Sequence, residues 1–523
     1  MKMRLSLFIF LLSLYILTTG GHVYTSDDTT MYYVARSIVE EGNTDVPLNE
    51  QTQGLVTVRH GADNKRYSVY PLLQPLLAVP FFVGGQILAS FFPPQFYEFL
   101  TRFAVSFFNP VILALTAVVL FSLLLHFYSR KTALVVALLF GLGTVAWPHA
   151  QTFLSEPLTT LLLLLAFSLG VVFKHQGHWR FVLFSGFFFG LAVVAKMVSL
   201  FAIPAFFVYF LLEEDRKGRL HVSREALKAW LLFGLAAIPP VFVNQIYNYS
   251  LFGTFLSSGY EEGALHGLTL SQPWYLGLLG LLLSPGRSIF VYSPPLLLTL
   301  FAMRPFFRKH RVEALFLLCF VLAFLGFFSS VSFWHGENSW GPRYLYYILP
   351  FFLIPAGHAV QQLLSWKWGK LWLALFFALS IFIQILGTSL MFSYYIDFVV
   401  RPQIPFEEAN RPHQATFLYT MHFSPSSSPI VGHLLLLPEI AKNTFVLGGV
   451  PPMPLDPQGL YAWYWSPALD VWWVWWYYSG LPKVFLALLL IPFSYILLSG
   501  YRLYRIAGRL EPCFNIALFI GLL

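Results

Sequence analysis

Three acids and six bases in this chain stand where their chemistry contrasts with the apolar sequence around them. Asp27 and Asp28 lie in "TSDDTTMYYVARSIVEEGN", directly after an apolar N-terminal stretch. A carboxylate held at the lip of such a stretch can take a proton from a hydroxyl or an amine as a general base. The same acids suit a helix cap. Residues 29–41 carry a helical pattern with Tyr32, Ala35 and Val39 on one face. Asp28 and Thr29 are then expected as N-caps, and acids are favoured at a helix N-terminus. Glu156, in "FLSEPLTT", offers a second acid at a helix mouth. Two such acids from separate loops would suit one shared cleft.

The bases point to an anion. Lys196 lies in "GLAVVAKMVSLFAIP", inside an apolar run where a charge is costly. It is either functional or a snorkelling residue at an outer turn. "SFWHGENSWGPRYLYYILP" crowds His335, Glu337, Asn338 and Arg343 into one loop. Arg343 is expected at a helix start, where the dipole disfavours a cation unless an anion is near. Its planar fork suits phosphate, and an interfacial anchor is the plainer reading. "RHGADNKRYSVYP" adds Arg59, Lys65, Arg66 and Tyr70, and "LLLSPGRSIFVYSPP" adds Arg287. His335 with Glu337 indicates no third ligand for a metal. A P-loop, a GxGxxG followed by an acid and a GxSxG are absent, so nothing points to nucleotide hydrolysis.

The elements that must position these groups are membrane helices. The chain has 523 residues, 57% hydrophobic and 11% charged, against about 25% charged in soluble domains. The fold class is therefore an all-α polytopic membrane protein. The net charge of +8 is small for the length. It fits cytoplasmic loops and lipid headgroups rather than nucleic acid. Cys319 and Cys513 both fall in apolar stretches, so no disulfide framework is indicated. The first apolar run, from Leu5, reads as a retained helix rather than a signal peptide.

Placing the Lys and Arg clusters inside gives about twelve transmembrane helices with both ends cytoplasmic. They fall near 5–21, 102–125, 132–149, 157–173, 181–195, 197–212, 229–247, 288–303, 312–331, 343–363, 371–391 and 481–499. Residues 71–92 are long enough to cross, yet parity forbids it. That stretch is expected in the interface or re-entrant, and Pro71, Pro75 and Pro80 agree. The fold thus has a long first extracytoplasmic loop, 22–101, containing juxtamembrane helices. A single domain covers 1–500, an outer aromatic segment spans 393–480, and 501–523 is a cytoplasmic or interfacial tail. Six tryptophans in 463–480 read as an interfacial belt, a surface that stacks sugar rings or prenyl chains, or both.

Four stretches in this order carry a resemblance: the acid pair with "MYYVARSIVEEG", "RYSVYPLLQPLLAVP", "GFFFGLAVVAKMVSLFAIP" and "SWGPRYLYYILPFFLIP". Together they resemble the integral-membrane glycosyltransferases of the C-type fold. The branch is that of the protein O-mannosyltransferases and the lipid A aminoarabinose transferases, over about residues 5–395.

The resemblance implies transfer of a sugar from a polyprenyl-phosphate carrier on the extracytoplasmic face, with inversion. It implies Asp27 or Asp28 as base; Glu156, the acid at the second helix mouth, is placed with them in the catalytic set from its own position. It implies Lys196 and Arg343, then Arg59, Lys65, Arg66 and Arg287, at the leaving phosphate. His335, Glu337 and Tyr70 complete the binding set. Members often have a Lys beside the Tyr-Pro pair. Here Val69 precedes Tyr70, so that contact is missing or comes from Lys65 or Arg66. Residues 393–480 are short beside branches with a large soluble domain, which favours a lipid or glycan acceptor. Members differ on a divalent cation, the one cofactor left open. A transporter or flippase is the rival reading. It would call for repeats and polar groups at the midplane, whereas these polar groups gather at one face.

Overall fold

The computed structural model describes residues 2–23, 25–49, 51–215, 217–255, 273–336, 338–405, 415–447 and 467–506. Backbone in lipid must satisfy its own amides, and a helix does so locally. Among the described residues the chain is helical nearly throughout, and its strands form two short hairpins. The first half runs α1 (Lys2–Thr18), α2 (Ser26–Glu40), the hairpin β1 (Val58–His60) and β2 (Arg66–Ser68), α3 (Leu73–Ala89), α4 (Tyr97–Val105) and α5 (Phe108–Leu124). Then come α6 (Arg130–Gly143), α7 (Glu156–Gln176), α8 (Arg180–Ala195), α9 (Ile203–Leu211) and α10 (Arg224–Phe252). The second half contributes α11 (Trp274–Leu283), α12 (Leu297–Lys309), α13 (Arg311–Ser330), α14 (Ala356–Leu363), α15 (Lys367–Ser389), α16 (Pro429–Lys442), α17 (Trp472–Tyr478) and α18 (Leu490–Ile506).

Among the described residues, six helical segments are long and apolar enough to cross a membrane: Pro94–Leu124, Glu156–Gln176, Arg224–Phe252, Arg311–Ser330, Lys367–Ser389 and Lys483–Arg505. Helix α7 packs between α5 and α8, α8 lies along α10, and α1 joins α5 to α18. The first and last described helices therefore meet. Helix α3 lies against α2 and α4 and keeps Pro80 inside its length.

Three expectations change. The N-cap of α2 is Thr25, whose side chain accepts the Asp28 N–H at 3.1 Å. Thr25 has the extended backbone a cap requires, so Asp28 and Thr29 sit inside the first turn. Residues 248–287, left between the expected spans 229–247 and 288–303, include the end of α10 and all of α11. Helix α11 is short, but a Cβ on Gly277 would stand 2.1 Å from the Ser329 carbonyl oxygen, so it presses directly on α13. The last helix continues to Ile506, past the expected tail boundary at 501. The tail around Phe514 and Cys513 lies outside the described residues.

A polar knot fixes the end of α1. Gln151 Nε2 donates to the Thr18 and Thr388 carbonyls at 2.6 and 2.7 Å. His22 and Asp470 are buried and 2.5 Å apart. Trp472 Nε1 donates to the Ile16 carbonyl at 2.8 Å. Four of the six tryptophans are described, at 472, 473, 475 and 476. These four are largely sunk against α1 and α4, where they serve packing; Trp463 and Trp465 lie outside the described residues.

Helices α8 and α10 approach through a Gly-x-x-x-Gly stripe, the pattern that lets backbones touch in membranes. A Cβ on Gly186 would lie 2.1 Å from the Phe233 carbonyl oxygen, and one on Gly190 would lie 2.4 Å from that of Ala237. Gly186→Leu is therefore expected to cost on the order of 3 kcal/mol through overpacking. Thermal unfolding of the purified protein should show a clear drop. Gly234→Ala, where a Cβ meets nothing within 4 Å, should change the midpoint little.

Candidate active site

The site begins with the first turn of α2. The Thr25 cap turns this helix so that Asp27 and Asp28 follow in its first turn. Asp28 points inward and is 1% exposed, while the Asp27 side chain keeps 22% of its surface. Asp27 Oδ2 accepts from Arg343 Nη2 at 2.7 Å. Arg343 Nε donates to Glu156 Oε1 at 2.7 Å. Lys196 Nζ donates to the same oxygen at 2.7 Å. The four groups form one chain, Asp27–Arg343–Glu156–Lys196, drawn from four separate segments. Glu156 is fully buried in it, and Arg343 and Lys196 keep 14% and 20% of their side-chain surface.

Local structure explains each placement. Glu156 opens α7, with Pro157 at a position whose missing N–H costs nothing. Lys196 has extended backbone between α8 and the 3-10 segment Met197–Ala202, so the apolar run breaks there and the ammonium turns to Glu156. Arg343 starts the 3-10 segment Arg343–Ile348, after Gly341 at φ +69. A side chain at Gly341 would also strike Val145. Arg287 is fully buried and donates to the Gly341 carbonyl at 2.8 Å and to that of Ser339. It braces the loop that presents Arg343 and is itself no part of the ion chain. Arg343 does meet anions at its helix start, and they are the protein's own carboxylates.

Other sequence candidates lie apart from the chain. Lys65 pairs with Asp45 at 2.8 Å. Arg66 donates to the Pro47 and Thr52 carbonyls at 3.1 and 2.5 Å, holding the hairpin to its preceding loop. Arg59 sits half-buried in β1 opposite Tyr67, and the Tyr70 N–H donates to Ser68 Oγ at 2.9 Å. His335 stacks on His422 with ring centres 4.8 Å apart. Glu337 lies outside the described residues. Sequence reasoning missed His149. It is buried, bonded through Nδ1 to the Val145 carbonyl at 2.8 Å, and rests on Tyr346 within electrostatic reach of Glu156 and Arg343. "VAWPHAQ" looks like one more apolar turn, and no spacing marks it.

Among the described residues no group of three or more His, Cys, Asp or Glu side chains could hold a metal ion. Glu156 Oε1 is taken up by Arg343 and Lys196, and Asp27 Oδ2 by Arg343.

Removing one partner from a buried ion group leaves the rest uncompensated, at about 3–5 kcal/mol. Glu156→Gln should therefore lower thermal stability strongly, and adding Lys196→Met should recover part of the loss. Asp28 gives a pH dependence. Burial first, then the charge of Asp27, push its carboxyl from the usual 3.8 up to about 7. Between those values the folded state holds a proton that the unfolded chain releases. This contribution is full below pH ~4 and fades as pH rises towards 7. Unfolding midpoints measured from pH 4 to 8 should show that slope, and Asp28→Asn should flatten it.

Residues 96–243 match the model of the dolichyl-phosphate-mannose-protein mannosyltransferase family. No curated protein matches the chain in sequence. The structure of ArnT from Cupriavidus metallidurans bound to undecaprenyl phosphate is 13% identical, with a TM-score of 0.50, covering 89% of this chain and 84% of that one. The archaeal oligosaccharyltransferase AglB from Archaeoglobus fulgidus, in complex with an inhibitory peptide and a dolichol-phosphate, is 11% identical, with a TM-score of 0.47, covering 82% and 60%. The matched segment and the shared fold make this chain similar to the integral-membrane glycosyltransferases of the C-type fold, as its sequence motifs implied.

Proposed function

We propose that the protein transfers a sugar from a polyprenyl-phosphate carrier to a lipid or glycan acceptor on the extracytoplasmic face of a membrane. The observation that carries this reading is the ion chain. It joins one partly exposed acid to two partly exposed cations around a fully buried counter-charge. An acid alone is a cap, and cations alone are anchors. Together, at one edge of a helical bundle, they suit proton removal beside a departing phosphate. The donor class extends to this chain what is bound to ArnT. The topology that goes with it has about twelve spans and both ends in the cytoplasm.

In this mechanism Asp27 is the base. The choice over Asp28 rests on exposure, 22% of the side chain against 1% of the residue. An acceptor O–H or N–H loses its proton to Asp27 as its oxygen or nitrogen forms the bond to the anomeric carbon. The bond from that carbon to the carrier phosphate breaks, and the configuration inverts. The phosphate leaves with the electron pair and meets Arg343 and Lys196, whose fixed charges favour it as negative charge builds. Glu156 positions both cations and touches no substrate. The polar groups form a chain at one end of α7, not a lining along its length, which supports transfer over transport.

The test is sugar release from a panel of polyprenyl-phosphate sugars by purified protein in lipid, with crude membrane glycolipid supplied as acceptor. Asp27→Asn should slow release by 10²-fold or more, the usual scale for a lost general base. Arg343→Gln should slow it comparably, and Asp28→Asn should slow it far less. Full activity in Asp27→Asn would remove the proposed base. No release from any donor by the parent protein would remove the glycosyltransferase reading itself.

A further inference from the structure

Helix α7 spans 21 residues from Glu156 to Gln176, so its last turn lies ~30 Å from the ion chain. That end is closed by aromatic contacts. His175 meets His126 at 5.0 Å, Phe127 meets His310 at 5.0 Å, and Tyr128 meets His358 at 5.3 Å. There α12 and α14 lie side by side. They border a cleft of about 320 Å³ lined by Phe301, Ala302, Pro305, His358, Gln361 and Gln362. One wall is apolar and comes from α12. The other carries two amides and an imidazole and comes from α14.

Charge lies beside this cleft, on the helix that supplies its apolar wall. Arg304 and Arg308 sit one turn apart on the α12 face that also carries Phe301 and Pro305. Both are exposed, and no ion pair joins either to a described residue. Like charges at this spacing repel, and an anion between them relieves the repulsion. Lys309 is exposed beside them and acts on His358. Phe301 is 81% exposed and lies seven residues back along the helix from Arg308, ~10 Å deeper. Trp366 and Trp368, 48% and 62% exposed, follow α14 directly, and exposed tryptophans mark the level of a membrane interface. Charge at headgroup height and an aromatic face at chain depth are the two halves of a lipid.

We propose that the cleft between α12 and α14 binds one membrane phospholipid with an anionic headgroup. Its phosphodiester rests on Arg304 and Arg308, its headgroup lies against Gln361, Gln362 and His358, and one acyl chain runs along Phe301. This site is independent of the ion chain at the opposite end.

Native mass spectrometry of the delipidated full chain in neutral detergent tests it, with phosphatidylglycerol, phosphatidylcholine and soluble glycerol 3-phosphate as probes. Phosphatidylglycerol is expected to bind in preference to phosphatidylcholine. Arg304→Gln/Arg308→Gln should weaken it about 30-fold, the effect of two interfacial charges. Lys367→Gln/Lys370→Gln removes equal charge from the same end outside the cleft and should leave binding within about twofold. Phe301→Ala keeps every charge and should still weaken binding. Equal binding of both lipids, an unaffected arginine pair, or an equal loss in the lysine pair would overturn the proposal. Displacement by glycerol 3-phosphate at millimolar concentration would overturn it too, showing a free-anion site.

Discussion

Glu156 is fully buried, and one of its oxygens accepts hydrogen bonds from both Arg343 and Lys196 at 2.7 Å. A carboxylate taken out of water survives as an ion only when cations and hydrogen bonds replace its hydration. The cations are bound by the same condition, since Arg343 and Lys196 would repel each other without the acid between them. This mutual requirement fixes the start of α7, the break after α8 and the loop that ends at Arg343. Asp27 then joins from α2 on the remaining edge of the guanidinium. Four segments far apart in the chain thus meet around one fully buried charge, that of Glu156.

The surrounding architecture supplies the rigidity this arrangement needs. Arg287 takes two carbonyls of the loop before Arg343, so the guanidinium rests on a held backbone. The Gln151, Asp470 and Trp472 contacts tie the end of α1 to α15 and α17, a few residues before the acid pair. Gly186 and Gly190 let α8 lie directly on α10, which sets where α8 ends and Lys196 begins. Outward faces play a different part. Helix α10 carries exposed Leu235, Ile238, Phe242 and Val243, a surface at ease in lipid but of no use in placing a charge. Charge is concentrated at the two ends of the bundle, a closed ion chain at one and an open cluster of arginines at the other.

Much was legible in the sequence because the membrane makes polar residues conspicuous. Lys196 inside an apolar run and Arg343 at a helix start each announced an unmet charge, and Asp27 and Glu156 stood at helix mouths. These four are the residues that the fold brings together. Arg59, Lys65, Arg66 and Arg287 looked alike in the sequence, yet they brace local backbone, pair with a neighbour or stand apart in the hairpin. A basic residue near a turn carries no mark of whether its partner is a carbonyl two strands away or a ligand. His149 was invisible for the opposite reason, since its neighbours are apolar and its partners Tyr346 and Val145 lie on separate segments or one turn behind.

What the sequence determined by itself was the helical membrane class and the residue types able to do acid–base and anion chemistry. Hydropathy and charge are properties of residues, and the bilayer penalises their misplacement one by one. What only the tertiary structure decided was pairing and exposure. Adjacent in sequence and alike in chemistry, Asp27 and Asp28 became an open carboxylate and a buried one because the Thr25 cap set the rotation of α2. Glu156 became an anchor because α5 and α8 enclose the start of α7. Those outcomes depend on which surfaces meet across hundreds of residues, and no local pattern encodes that.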